Sequence, residues 1–584
     1  MMQGFLRQAA AGQPVFLPDV RAAFQRQGTL PFHIHVTLYD GSVRVFPLTL
    51  PRTRGEAEAD FAAEYLYAHI YNILSALGAV KVELYWDPAG GTELAGSLDR
   101  VFQTRLEKGA RTGYGKCLNV NERVLNALFQ GREGFRFCLL DVKEEPAVPE
   151  AARPAPLRPV FDQLPARTRG KLLLGMDVGG TDVKLAVSAD GDLVLCKEFD
   201  WFPAAFARGE ELTGPLLLLT RLMRAAGSLC QAGRGAEVVH SALERRATLT
   251  EMERAAETME RAAGGDLRSF NAIGLSFPDV VIQNRIVGGE TPKTQGMRNN
   301  PLLDYEEQFA KITGLNADLA AYTVPGGPVR CVNDGPMAAF TAAVEQAAGG
   351  ADLSQGFFAH SLGTDLGTGW VLPDGSIPDL PLEVYNFILD LGSRDQRDRF
   401  DPEDVRSNRS VNTGLPGALQ KYASQWGVFR LAAHRLPRED PALFQEAVDR
   451  GLFRWEGDRL IVPTEPEDMR KPCLEFFMEQ AARSQGAAEL FREIGEYLAV
   501  TAQELNWILR PEARERTLFG RLVMRPACFG LIREGAARRD PSLRLSAAGG
   551  DLANTRLMGQ LDRRPGCTAA QFAQAVGAIY YSVS

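Results

Sequence analysis

Residues 171–199, KLLLGMDVGGTDVKLAVSADGDLVLCKEF, constrain the fold of this 584-residue chain more than any other stretch. An apolar run ends in Asp177, breaks at Gly179-Gly180, and resumes as two alternating runs separated by Ala189-Asp190-Gly191-Asp192. The pattern is strand, tight turn, strand, tight turn, strand, and it opens a sheet-containing domain. The first turn also has chemical content. Gly179 and Gly180 lack Cβ atoms and let the backbone close on an anion; Thr181 offers a hydroxyl, Lys184 a charge, and Asp177 is suited to hold Mg²⁺ through water. A ligand-free hairpin explains the same residues.

Two further motifs follow in order. Residues 328–340, PVRCVNDGPMAAF, read as a β-branched strand ending in Asn333-Asp334 with a helix behind it. A carboxylate there suits a general base, and an Asn-Asp helix cap is the competing reading. Residues 360–377, HSLGTDLGTGWVLPDGSI, form a second glycine-rich loop. Taken together the three motifs resemble those of the ROK family (repressors, open reading frames, kinases) of actin-like sugar kinases, over about residues 171–584. The resemblance implies an α/β, two-lobed actin-like (ribonuclease H-like) sugar kinase fold. It implies ATP and Mg²⁺ as cofactors and a hydroxyl of a sugar or polyol as acceptor. Asp334 would deprotonate that hydroxyl, and Asn333 would bind its neighbours. Gly363, Thr364, Gly367 and Thr368 would join Asp177, Gly179, Gly180, Thr181 and Lys184 on the nucleotide phosphates and metal.

Departures from the family pattern gather around the same motifs. Asp279 replaces a glycine at the end of IGLSFPDVV, and Asp365 replaces one in the second loop. Ser276 and Lys293, in the stretch 271–297, are weaker candidates for substrate contact. Glu383 is kept from a Glu-x-x-His step, but Asn386 stands for the histidine. Gln420 stands where a sugar-binding glutamate is expected, and the family's zinc cysteines are absent, so no structural zinc is expected. An adenosine-contacting turn falls either at 519–523, with Gly520, or at 546–551. The alternative to an enzyme is a catalytically degenerate sugar- or nucleotide-binding regulatory protein on the same fold.

Ahead of the kinase-like region, residues 1–142 read as a separate α+β domain. A hairpin is centred on Asp40-Gly41, a long amphipathic helix follows, and two more strands come later. His33 and His35 share one strand face, as metal ligands or as an ordinary polar face. Six prolines between 146 and 165 mark 143–170 as a linker. The lobes are placed at 171–345 and 346–584, with a helical insertion near 205–265 and a last helix that returns to the first lobe. Within the insertion, helices are expected at 212–232 and, solvated over most of its surface, at 239–263.

Composition excludes several classes. A net charge of −8 and a pI near 5.6 give no general pull toward nucleic acid or anionic membranes. No apolar run approaches the roughly 20 residues of a membrane span. Eight cysteines without a Cys-x-x-Cys pair, and no secretion signal, suggest reduced thiols and a cytoplasmic protein. The expected partners are thus a nucleotide and a sugar or polyol, with a homodimer left open.

Overall fold

The computed structural model describes residues 1–87, 94–105, 111–131, 134–147, 160–288, 292–396, 400–548 and 553–584. The chain divides into two compact units. One comprises Met1–Arg153, His360–Thr368 and Leu380–Ala547; the other comprises Pro154–Ala359, Gly369–Asp379 and Ala548–Ser584.

In the first unit, helix α1 (Leu17–Gln27) precedes strands β1 (Leu30–Thr37) and β2 (Val43–Leu50), helix α2 (Glu56–Leu77), and strands β3 (Lys81–Trp86) and β4 (Arg136–Asp141). The four strands form one sheet in the order β2-β1-β3-β4, with β1 antiparallel to both neighbours and β3 parallel to β4.

The second unit carries the stretch that opened the sequence reading. It becomes β5 (Leu172–Val178), β6 (Asp182–Ala189) and β7 (Asp192–Asp200), followed by helices α3 (Gly209–Gln231) and α4 (Leu249–Ala263). Then come β8 (Ala272–Phe277), β9 (Val329–Asn333) and helix α5 (Asp334–Ala348). Strand order is β9-β8-β5-β6-β7, a three-strand antiparallel meander with two further strands added in parallel on the β5 side. That order is the ribonuclease H-like core of the actin-like fold. A second sheet, β11-β10-β12-β13, belongs mainly to the first unit and is built from β10 (Phe357–Leu362), β11 (Leu366–Val371), β12 (Glu515–Phe519) and β13 (Arg544–Ala547), with helix α6 (Gln485–Leu509) before β12.

The 1–142 segment has a sheet of its own but not a core of its own, which corrects its expected independence. Arg21 of α1 pairs with Glu504 of α6, and both side chains are buried. Asn72 of α2 exchanges hydrogen bonds of 3.0 and 2.8 Å with the backbone of Ile388. Phe46 of β2 packs 5.0 Å from Trp507. Buried polar partners of this kind are hydrogen-bonded because desolvation makes an unpaired one costly, so the segment folds with 380–547. The expected linker is also shorter. Residues 148–159 lie outside the described residues, but Val160–Gln163 and Leu164–Arg167 are short helical turns that bury Phe161 and Leu164.

Expected helix 239–263 begins only at Leu249. Thr248 accepts from Glu251 N–H at 3.2 Å, and the Glu251 carboxylate accepts from Thr248 N–H at 2.8 Å, a reciprocal cap. Nor is it solvated all round: Met252, Ala255, Ala256, Met259 and Ala263 form a buried stripe at helical spacing.

The last helix, α7 (Ala569–Ser582), lies on β5 and β8 because two glycines make room for it. Gly175 and Gly274 are register partners on these strands. A Cβ at Gly175 would lie 1.9 Å from the Ala575 carbonyl oxygen, and one at Gly274 1.8 Å from that of Ala578. Residues 575 and 578 share a helix face, so backbone meets backbone along one line. We expect Gly274→Val to cost about 3 kcal/mol or more, read as a lowered denaturation midpoint; an unchanged midpoint would show that α7 is not seated there.

Candidate functional site

The strand ends of the second unit bring one group of predicted residues together. Asp177 closes β5, Ser276 is its register partner on β8, and Asn333-Asp334 closes β9 and opens α5. Ser276 is buried and its hydroxyl donates to Asp177 Oδ1 at 2.8 Å, with Gln574 Oε1 of α7 at 3.1 Å. This corrects Ser276 from a substrate contact to a group that orients Asp177. Burial pushes the Asp177 carboxyl up to about 6; Ser276 and the nearby Lys184 oppose that, and Asp334 and Asp182 add to it.

The glycine turn is held by the residue that follows β7. Trp201 donates its indole N–H to Gly179 O at 3.0 Å and its backbone N–H to Thr181 O at 3.1 Å. Gly179 N–H is itself taken by Asp182 O at 2.8 Å, so its amide belongs to the turn rather than to an anion. Gly180 lies under Lys293, whose Cε would be 3.2 Å from a Cβ placed there, and Thr181 is exposed beside it. Lys184, opposite Asp177 in register, pairs with Asp182 and approaches Glu198 at 4.0 Å. Its charge is therefore shared among carboxylates, not directed at a phosphate alone.

Asn333 caps α5: its Oδ1 accepts from Gly335 N–H at 3.1 Å, and its amide donates to the Asp279 carbonyl at 2.8 Å. The cap reading holds for Asn333, while Asp334 sits in the first turn with its side chain half-exposed. Asp279, a departure from the family pattern, is buried and accepts from Val280 N–H through its own carboxylate at 2.9 Å. It is scaffolding for Asn333. Lys293, rated as a weak candidate in the sequence, holds its ammonium 3.8 Å from Asp334 Oδ2. It is the cation that stands between the glycine turn and the carboxylate.

A second group lies in the first unit. Gly363 N–H donates to Asp365 O at 3.0 Å and Gly363 O accepts from Gln425 N–H, closing the loop, while Thr364 is exposed at its tip. A Cβ at Gly367 would meet only Ser361 Cβ, at an ordinary contact distance of 3.4 Å. Thr368 is turned inward, 3.1 Å from His360 Nδ1, and is not a phosphate contact. Gln420 is buried and committed twice, accepting from Val411 N–H at 2.8 Å and donating to Asp365 Oδ1 at 2.5 Å. The two departures read separately in the sequence therefore touch: the carboxylate lost at 420 reappears at 365. Burial raises the Asp365 carboxyl, and Gln420 partly offsets it. Gln420→Glu sets two carboxylates together, so we expect about 1–3 kcal/mol of destabilisation at neutral pH. One of them would hold a proton in the folded state. Its raised pKa means the loss shrinks as pH falls, which melting curves of variant and wild type at pH 5 and pH 8 would show.

Glu383 and Asn386 bracket a short turn around Tyr385, whose phenol is pushed well above its usual range by burial and by the Glu383 and Asp365 carboxylates. Gly520, at φ +94°, packs on the backbone of Leu362, where a Cβ would lie 2.3 Å from the carbonyl oxygen. Only glycine fits, whatever it contacts. The competing turn at 546–551 lies partly outside the described residues. His33 and His35 both bond Glu145, at 2.8 and 2.7 Å, which favours the polar-face reading. Among the described residues no cluster of three or more His, Cys, Asp or Glu is arranged for a metal ion, and no helix is long and apolar enough to cross a membrane.

No family model matches the chain, and no curated protein matches it. Among solved structures it is similar to a ROK family glucokinase from Streptomyces griseus in complex with glucose and AMPPNP, at 15% identity and TM-score 0.37, covering 70% of this chain and 98% of that one. A ROK hexokinase from Thermus thermophilus gives 18% identity, TM-score 0.37, and coverage of 70% and 97%. A Leishmania braziliensis glucokinase gives 12%, 0.36, and coverage of 73% and 98%. At such scores the fold rests on the strand order described above.

Proposed function

We propose that the protein is an ATP- and Mg²⁺-dependent kinase that phosphorylates a hydroxyl of a sugar or sugar-like molecule. The observation that carries the reading is Asp334, half-exposed in the first turn of α5, with Lys293 at 3.8 Å and Asp177 close enough to feel its charge. Asp334 would accept the proton of the acceptor hydroxyl as its oxygen attacks the terminal phosphorus, and ADP would leave. Asn333 is oriented by Asp279 and the helix cap, and its second amide hydrogen and second carbonyl lone pair would register the acceptor beside Asp334. Lys293 would offset the negative charge gathering over Gly180 and Thr181.

Asp177 suits a metal held through water. Ser276 fixes one of its oxygens, and carboxylate with intervening water is how Mg²⁺ on a nucleotide is usually held. Bound Mg²⁺ would supply charge neutralisation on the phosphates. Gly363, Thr364 and Gly367 remain the proposed phosphate contacts of the first unit, and Glu383, Asn386 and Gly520 its proposed sugar and adenosine contacts.

The deciding experiment is ADP release from Mg-ATP against a panel of hexoses, amino sugars and polyols. Turnover with one class supports the kinase and names the acceptor. The internal commitments of Gln420, Thr368 and Lys184 favour the second reading, a binding regulator. In that case sugar or nucleotide raises the melting temperature with no ADP formed.

A further inference from the structure

Cysteine spacing along the chain offers no local pair, yet two thiols 371 residues apart are brought together at the edge of the β9-β8-β5-β6-β7 sheet. Two anchors on β7 set their positions. At its start, Leu193 N–H donates to Gln560 Oε1 at 2.6 Å, Leu193 O accepts from the Arg564 guanidinium, and Asp192 accepts from Gln560 at 2.6 Å. Near its end, Glu198 accepts from Gln571 at 2.5 Å. Cys196 lies between Leu193 and Glu198 on the strand, and Cys567 between Arg564 and Gln571 on the opposing segment.

The opposing segment is not slack. Arg564-Pro565-Gly566-Cys567 is a tight turn, with Gly566 at φ +75° and Cys567 N–H bonded to Arg564 O at 3.1 Å. Proline at the second position and a positive φ at the third belong to a type II turn, whose ends lie within about 7 Å. Cys567 is thereby returned to the strand at which Arg564 is fastened.

The geometry points to Cys196 and Cys567 as a reversible thiol–disulfide pair, oxidised by a peroxide. Both side chains are half-buried, so the oxidant has access from the sheet edge. The neighbouring Cys196 thiol, with the Arg564 guanidinium, holds Cys567 below the usual thiol range, and Cys567 in turn raises Cys196. Cys567 is thus the attacking thiolate. It displaces hydroxide from the peroxide, forming an S–O bond as the O–O bond breaks, and the hydroxide leaves as water after taking a proton. Cys196 then attacks the sulfenic sulfur; the S–S bond forms, the S–O bond breaks, and the Cys196 proton leaves with the second water. Two thiols lose two electrons and one hydrogen peroxide becomes two waters. The link would tie edge strand β7 to the turn that leads into α7.

The test uses the full chain with hydrogen peroxide as probe. Free thiols counted in denaturant after quenching should fall by two from eight and return with dithiothreitol. A non-reducing peptide map should show one cross-linked species joining Cys196 to Cys567, and the oxidised protein should melt roughly 5 °C higher. In Cys196→Ser, Cys567 should be trapped as a sulfenic acid by dimedone. An unchanged thiol count, or a cross-link through any other cysteine such as Cys230, overturns the pairing. The map on the unmutated chain decides even if a variant fails to fold.

Discussion

Asp334→Asn should lower phosphoryl transfer by roughly 10²–10⁴-fold, the contribution of a positioned general base. The substitution keeps size and shape, and the helix cap does not depend on it, since Asn333 supplies the acceptor for Gly335 N–H. Folding should therefore be intact, and ATP should shift the melting temperature as it does in the unmutated chain. The charge removed is also the one that faces Lys293 at 3.8 Å. Lys293→Met then serves as a comparison: losing the cation should weaken nucleotide-dependent stabilisation, whereas losing the base should not. Unchanged turnover in Asp334→Asn would remove Asp334 from the chemistry and, with it, the main support for the kinase reading.

The largest stability effect should come from Glu504→Ala. Glu504 is completely buried, with Arg21 as its ion-pair partner, His69 Nδ1 at 3.5 Å and the Asn72 amide at 3.4 Å. Arg21 also lies 4.2 Å over the Trp507 ring. Removing the carboxylate leaves a desolvated guanidinium, a loss of about 3–5 kcal/mol. Chemical denaturation would show it as a lower midpoint with little change in slope. The double variant Arg21→Met, Glu504→Leu should recover most of the loss, because it removes both charges together. If Glu504→Ala leaves the midpoint in place, residues 1–142 are not held to 380–547 in the way described.

The same cluster sets an acid sensitivity whose sign follows from its two titrating groups. Arg21 and His69 hold the Glu504 carboxyl down at about 2, so its contribution is present above the ordinary carboxylate range and is lost as pH falls toward 2. Burial lowers His69 to about 4. Between pH 6.5 and 4 the unfolded chain takes up a proton on His69 that the folded chain refuses, so stability also drops as pH falls through that window. His69→Gln should flatten the first part of the acid decline, and melting temperatures between pH 7 and 4 would show whether it does.

Much of the architecture was legible because the signals were local. Alternating apolar residues on either side of Gly179-Gly180 and Asp190-Gly191 specify the meander, and the short apolar runs through Ser276 and up to Asn333 specify the strands beside it. What was not legible depends on residues distant along the chain. Gln420 reads as a weakened sugar contact until Asp365 is found against it, 55 residues away. Thr368 reads as a phosphate ligand, but strand alternation turns it inward to His360. Gln574 carried no signal, since a glutamine on an alanine-rich helix gains its meaning only beside Ser276. The 1–142 segment looked self-sufficient because its own periodicities are complete; Arg21, His69 and Asn72 were the polar residues on apolar faces that marked an unseen partner.

The seat that Gly175 and Gly274 make for α7 has a consequence for synthesis. The backbone face of β5 is finished only by residues near Ala575, 400 positions further along the chain. At about 5–20 residues per second, a nascent chain holds that central strand uncovered for roughly 20–80 s before its covering helix is made. The sheet is written early and one of its faces is closed late, so the half-built protein passes through the ribosome's vicinity with that face open, a natural client for chaperones that hold such surfaces until the covering helix arrives.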